Sequence, residues 1–435
     1  MFDKVIGAIR DGFESLTEHR KGGNNRRYTL SDAALSAFSV FVMQSPSFLA
    51  HQRDMQRQKG RDNVQTLFGV HQTPSDNQIR NLLDPVSPRQ IGHIFWEIYA
   101  QVEAAGLLAE HRGIANNLLC GMDGTQYFSS TAIHCEQCTQ RQREDGTHYS
   151  HWVIVPVLVK PDSPHVFTLE PEFIVPQDGT EKQDCEQAAF KRWLERHAQR
   201  FPPQSVTMLC DDLHCKQPTC QLCLAHHCNF IFVCLPDSHP TLYEEIDLLE
   251  RVEGVSHYEQ RLWNGRFWER HRFRYVNQVP LRSGQDALLV NWCEVTIIAE
   301  KSGERLYFNQ FATNHLLNDE TVVAVIASGR ARWKTENESH NILKNYGYHL
   351  EHNFGHGQHC LAAVLLSLNL LAFLLHTILE RSDSIYQQVR RELGTRKTFF
   401  ADIRTLTRYM IFDSWSHLLN FMFVQLELDA KPPPT

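Results

Sequence analysis

Basic charge is scarce in this chain. Its 43 lysines and arginines fall short of its 50 aspartates and glutamates, leaving a net charge of −7 and a pI near 6.4. A protein that coats polyanions through bulk charge is excluded, so any nucleic-acid contact must come from local patches. The opening segment, MFDKVIGAIRDGFESL, lacks the unbroken apolar core and small-residue cleavage site of a signal peptide, so secretion is not expected. Internal repeats are missing, and the only low-complexity tract is the terminal KPPPT, expected to fray. Without secretion, twelve cysteines argue against a disulfide framework and for reduced thiols or metal ligands in a cytoplasmic protein.

What is present suits a folded chain: 42% hydrophobic and 21% charged residues over 435 positions are enough to bury a proper core. Leu361 to Leu379 is long and apolar enough to imitate a membrane span. It carries Ser367, Asn369 and His376, stands alone and has no basic flank on its amino side, so it is expected to be a buried core helix, with no membrane partner.

Residues 1–112 read as a helical region for DNA binding or assembly. Ser31 and Asp32 are expected to cap the run Ala33 to Met43, and Ser75-Asp76 to cap a helix stopped near Pro85. Arg20, Lys21, Arg26, Arg27, Arg53, Arg57, Lys59 and Arg61 are its candidate phosphate contacts, against the plainer reading of a solvated surface.

From Asn117 the pattern turns to strands. NLLCGMDGTQYF is an apolar run that ends at Asp123, HWVIVPVLV is a second strand, SVTMLC runs directly into Asp211-Asp212, and CNFIFVCLP is a fourth. With the helix DCEQAAFKRWLERHAQRF between them, this order predicts a mixed α/β sheet flanked by helices. Residues 238–312 interrupt it with antiparallel hairpins, read as an inserted β subdomain. There Trp263, Arg266, Trp268, Arg270, Arg272 and Arg274 are candidates for further DNA contact. A helix capped near Asn318-Asp319 then leads into the glutamate-bearing stretch, and residues 381–435 form a C-terminal helical region.

Asp123 and Asp211-Asp212 stand where apolar strands run out, the place where α/β sheets meet ligands, and carboxylates there suit hard divalent cations. Arg332, Glu336 and Lys344 fall near one side of a helix, a pairing of carboxylate and cations suited to phosphate chemistry. Asp212 and Glu338 are alternatives to Asp211 and Glu336.

The order Asp123, Asp211, Glu336, with a β insertion before the glutamate and the short motifs MDGT, CDDLHC and RWKTE, resembles the DDE transposases of bacterial insertion sequences. The similarity is to the group with an inserted β domain and a Tyr, Arg, Glu, Lys signature, and it covers roughly residues 115–380. It implies a ribonuclease H-like catalytic domain, split here between residues 113–237 and 313–380. It also implies two Mg2+ (or Mn2+) ions, with Asp123 shared between them while Asp211 and Glu336 each complete one site. The expected partner is double-stranded DNA, both transposon ends and target, gripped by Arg332 and Lys344 with Trp333 stacking on a base. A homodimer on paired ends and a bacterial, nucleoid-associated location belong to the same expectation. The sequence departs from the signature twice: Gly329 occupies the tyrosine position, and the lysine follows Glu336 by eight residues rather than seven. A domesticated protein that binds DNA without cutting it, or a nuclease on the same fold, are the alternatives.

Cys135 and Cys138 form a C-x2-C pair, and Cys215, Cys220 and Cys223 follow the second aspartate. Both clusters follow strands of one presumed sheet, so Cys135, Cys138, Cys215 and Cys220 are the preferred set for a structural zinc, with Cys223, His134 and His214 as substitutes. His349, His352, His356 and His359 lack the H-E-x-x-H of a zinc hydrolase and are flanked by helix-breaking Gly355 and Gly357, so packing or phosphate contact is expected of them.

Overall fold

A computed structural model describes residues 2–20, 27–55, 62–176 and 185–428. Six helices open the chain: α1 (Phe2–Glu14), α2 (Leu30–Val42), α3 (Phe48–Met55), α4 (Asn63–Phe68), α5 (Asp76–Leu83) and α6 (Arg89–Ala104). Ser75 caps α5 as its type predicts, but α2 begins one turn earlier than expected. There Thr29 is the cap and Asp32 is the third helical residue, each side chain accepting from the other's backbone amide.

Strands follow: β1 (Leu118–Gly121), β2 (Gly124–Ser130), β3 (Thr139–Arg143), β4 (Gly146–Ile154), β5 (Val157–Val159), β6 (Phe167–Thr168) and β7 (Glu172–Ile174). After α7 (Glu186–His197) come β8 (Val206–Cys210), α8 (Gln217–Ala225), β9 (Asn229–Val233) and α9 (Pro240–Arg251). The hairpin strands β10 (Ser256–Trp263), β11 (Trp268–Pro280), β12 (Leu289–Ala299) and β13 (Arg305–Thr313) lead into α10 (Asp319–Arg330), capped by Asn318. The chain ends with α11 (Asn341–Asn345), α12 (Leu361–Ser382), α13 (Ser384–Glu392), α14 (Arg396–Tyr409) and α15 (Trp415–Gln425).

The expected mixed α/β sheet is present. Nine strands run in the order β10-β11-β12-β13-β9-β8-β1-β5-β6, with β1, β8 and β9 parallel and the other pairings antiparallel. Two sequence expectations change. The run HWVIVPVLV is not one strand: Pro156, which has no amide to donate, lies between β4 and β5, and these belong to different sheets. β4 instead joins β2, β3 and β7 in a second, four-stranded sheet. The hairpins from 256 onward are antiparallel as predicted, but they are not a sheet of their own, because β13 pairs with β9 and carries the central sheet outward.

The amino- and carboxyl-terminal helices pack together rather than standing as separate regions. The Asn63 side chain donates to the carbonyls of Thr407 and Met410, and Arg408 pairs with the buried Asp54. Between these helices and the sheet lies α12, long and apolar enough to cross a membrane yet 89% buried along its most apolar stretch. Ser367, Asn369 and His376 along it each have a partner inside the fold. Asn369 donates to the Tyr348 carbonyl, Ser367 donates to the Ala363 carbonyl, and His376 Nδ1 lies 2.6 Å from the Tyr348 hydroxyl.

Candidate acidic site and two thiol-histidine groups

β1 and β8 are adjacent and parallel, with Gly121 opposite Leu209. Asp123 and Asp211 each lie two residues beyond that pair, so they leave the sheet side by side at its carboxyl edge. The glutamate segment is brought to the same edge by a close approach: a Cβ on Gly121 would collide with Thr335 Oγ1, the residue before Glu336. Only glycine permits that contact.

The expected continuous helix through Glu336 is interrupted. After α10 the chain makes a turn at Ala331-Arg332, and residues Thr335–His340 form a π-helical turn in which the Asn341 amide reaches back five residues to the Glu336 carbonyl. A π turn accommodates one extra residue, so eight residues here cover about the two turns that seven cover in an α-helix. The offset of Lys344 is thereby absorbed. Its ammonium, however, is paired with Glu351 at 2.9 Å. Gly329 also has a reason: a Cβ there would lie 2.7 Å from the Phe311 ring and 3.0 Å from Ile231 Cγ2, so α10 packs on β13 and β9 only without a side chain.

Asp123, Asp211 and Glu336 share the site with a carboxylate that sequence reasoning missed, Glu186, in the first turn of α7. Burial pushes the Asp123 carboxyl up to about 7; the charges of Glu186, Glu336 and Asp211 add to the rise while Arg332 opposes it. Glu186 is raised as well, first by burial and then by Asp211, against the pull of His214, the Gly124 amide and Arg332. Burial also disfavours the Asp211 anion, but the hydrogen bond and charge of His214, together with Arg332, outweigh it and hold Asp211 below the ordinary carboxylate value. The buried His214 reaches both acids, with Nδ1 3.1 Å from Asp211 and Nε2 4.0 Å from Glu186. Nothing in the sequence around Glu186 signals this role, since it does not end an apolar run and lies 25 residues before Asp211.

The alternatives separate cleanly. Asp212 turns away, accepting from the Leu235 amide and the Ser238 hydroxyl, with His239 Nε2 3.5 Å off. Glu338 is half-buried and is not among the charges that shift Asp123. Arg332 Nη1 holds Glu336 at 3.4 Å, and Trp333 is exposed, with the Lys334 ammonium 4.6 Å over its ring.

The basic face of the hairpins is largely neutralised from within. Arg270 pairs with Glu259 and Glu300, Arg272 with Glu259, and Arg274 with Glu250 and Glu294. Two places on the hairpins present exposed aromatics beside an arginine without an ion pair among the described residues: the tip, Trp263 to Trp268 with Arg266, and β13, where Arg305 lies over Phe308. In the amino-terminal region Arg20 is engaged by Glu18, Arg27 lies over the Tyr28 ring and Arg53 is exposed. Lys21, Arg26, Arg57, Lys59 and Arg61 lie outside the described residues.

The twelve cysteines are free, and the preferred zinc quartet is divided between two places. Cys135 and Cys138 converge with His151 of β4 and His356, all four buried and with ligand atoms within 4.8 Å of one another. Cys215 groups with Cys234 and His239, and Cys220 is not part of that group. The correction has a topological cause: Cys135 and Cys138 follow β2, which has left the central sheet that carries Cys215. His356 also corrects the expectation of simple packing for the histidine cluster. In the first group the hydrogen bond from Cys138 draws the Cys135 thiol well below its usual value, with His151 and His356 adding, while Cys138 rises. Both groups have the donor chemistry to hold a metal ion.

No protein-family model matches the chain, and no curated protein matches it.

Proposed function

We propose that the chain is a DNA transposase of the DDE kind, cutting transposon ends and joining them to target DNA through an all-carboxylate metal site. The observation that carries this reading is the meeting of Asp123, Asp211 and Glu336 at one sheet edge. Two of these acids are in register on parallel strands, and the third is drawn in by the Gly121-Thr335 contact. The strand order β6-β5-β1-β8-β9, antiparallel for the first two and parallel for the last three, supports a ribonuclease H-like core.

The residues fit a hard divalent cation. Four carboxylates repel one another there, and Arg332 is the cation that offsets them. Two bound Mg2+ ions would supply activation of the attacking oxygen and stabilisation of the leaving one. The protein's own part is positional. His214 keeps Asp211 ionised and oriented, Arg332 holds Glu336 and offers its remaining donors to a phosphate, and Trp333 offers a stacking face to an unpaired base.

The test uses a plasmid carrying the DNA that flanks the gene on both sides, incubated with protein and Mg2+ or Mn2+. Wild type should nick and join strands, and Asp123→Ala, Asp211→Ala and Glu336→Ala should each lose both activities by 100-fold or more, on the order of three kcal/mol or above. Cleavage without joining would replace the reading by a nuclease, and binding without cleavage by a non-cutting DNA-binding protein.

A further inference from the structure

We infer that Cys135, Cys138, His151 and His356 form a closed four-coordinate zinc site, one that staples the strand leaving Asp123 to the loop that follows the glutamate segment.

The four ligand atoms are spaced like the corners of a tetrahedron around one ion. With Zn–S near 2.3 Å and Zn–N near 2.0–2.1 Å, tetrahedral edges are about 3.8 Å between sulfurs, about 3.5 Å between sulfur and nitrogen and about 3.3 Å between nitrogens. The corresponding separations are 3.9 Å for Cys135 to Cys138, 3.6 and 3.4 Å from these sulfurs to His151 Nε2, 3.4 Å from Cys138 to His356 Nε2, and 3.1 Å between the two imidazole nitrogens. Side chains that merely pack have no reason to turn two thiols and two Nε2 atoms onto one point. An S2N2 tetrahedron selects zinc among common ions, and four protein ligands leave no open position for chemistry, which makes the site structural.

The surroundings prepare each ligand. The Cys135 amide points at Cys138 Sγ at 3.5 Å, as suits a thiolate, and the Cys138 amide donates to the Cys135 carbonyl to close the knuckle. Nδ1 of His356 lies 2.9 Å from the Gly357 carbonyl; donating there leaves Nε2 as the free lone pair. His151 stacks on Tyr127 and His356 against Phe128, giving the site an apolar wall. The His356 loop is itself pinned. Asp84, just past α5, accepts the amides of Gln358, His359 and Leu361, and Gly357 turns the chain with φ +71°.

Topology gives the site its consequence. Cys135 follows β2, which begins immediately after Asp123; Cys138 precedes β3, His151 lies on β4, and His356 comes twenty residues after Glu336. The ion therefore ties the second sheet to the segment that carries the third acid. Binding sends the thiol protons to solvent, with no change in oxidation state.

The test is metal analysis of the full chain, purified without chelator and with thiols reduced. At least one zinc per chain is expected, and replacement by Co2+ should give the intense visible bands of a tetrahedral site with sulfur-to-metal charge transfer. One metal equivalent should vanish in Cys138→Ser and in His356→Ala and persist in Cys215→Ser, which alters only the other thiol group. Chelation should lower the thermal midpoint of wild type and speed proteolysis around residues 131–138 and 349–360. Reduced wild-type protein without zinc or a tetrahedral cobalt spectrum would overturn the proposal. So would a metal whose loss follows Cys215 but not Cys138, or a Cys135–Cys138 disulfide detected as two missing hydrogens. The wild-type measurements decide even if a variant fails to fold, and none depends on DNA cleavage.

Discussion

Thr335 Oγ1 rests against the bare Cα of Gly121, a contact that leaves no space for even a methyl group and holds the Glu336 segment against the end of β1. Thr335 Oγ1 is buried and has no hydrogen-bond partner among the described residues, so the contact is one of shape.

Gly121→Ala should therefore cost about 1–3 kcal/mol in urea unfolding through overpacking. Thr335→Ala removes the colliding atom, leaving the next neighbours at 3.7 and 3.8 Å, an ordinary contact distance. The double variant should recover most of the loss, and a strictly additive double-mutant cycle would refute the contact's role.

Asp123 makes the metal-free protein sensitive to pH. Its folded value of about 7 exceeds the ordinary 3.8, so between those values the folded chain holds a proton that the unfolded chain releases. The stability contributed by this group is full below pH ~4 and is lost as pH rises through about 7. In EDTA, Asp123→Asn should be more stable than wild type at pH 8 by about 1–3 kcal/mol and should show a flatter stability profile between pH ~4 and ~7, where one extra bound proton gives wild type a slope of at most about 1.4 kcal/mol per pH unit. Excess Mn2+ should remove the wild-type deficit.

The two neighbouring aspartates should differ in Mn2+ binding. Asp212→Ala removes the acceptor of the exposed Leu235 amide and Ser238 hydroxyl and should lower stability by about 0.5–1.5 kcal/mol, with Mn2+ binding intact by paramagnetic resonance. Asp211→Ala should weaken Mn2+ binding and also lower stability, because it leaves the buried His214 without its nearer carboxylate partner.

Glu186→Gln removes the largest charge acting on Asp123. The Asp123 carboxyl should then titrate at lower pH, followed by carbonyl-carbon NMR, and Mn2+ affinity should fall about tenfold or more if Glu186 helps hold the ion.

Gly329→Ala pushes a methyl group toward Phe311 and Ile231 and should cost about 1–3 kcal/mol by chemical denaturation. Gly329→Tyr should prevent α10 from seating, visible as lost near-ultraviolet dichroism.

Much of the site was legible because its signals are local. Strands β8 and β9 stand out as apolar runs, and the aspartates mark where β1 and β8 stop. Asn318 and Ser75 are caps by side-chain type. The buried character of α12 followed from Ser367, Asn369 and His376 along it and from the missing basic flank. Helical spacing correctly brought Arg332 and Glu336 together, and their ion pair is the result. What escaped depended on pairing at a distance. Pro156 divides one apolar run between two sheets, and the hairpin insertion joins the central sheet through β13 and β9.

By itself the sequence determined the kinds of element, the acids at strand ends and the C-x2-C pair, since these depend on side-chain type and short-range spacing. Only the tertiary structure decided which groups meet. Glu186 enters the acidic site from a helix with no motif, Asp212 leaves it for Leu235 and Ser238, and His356 crosses 218 residues to reach Cys138. The reason is physical: a carboxylate or thiol takes its charge state and its partners from what burial places within a few ångströms, and that is set by sheet order and close packing rather than by neighbours along the chain.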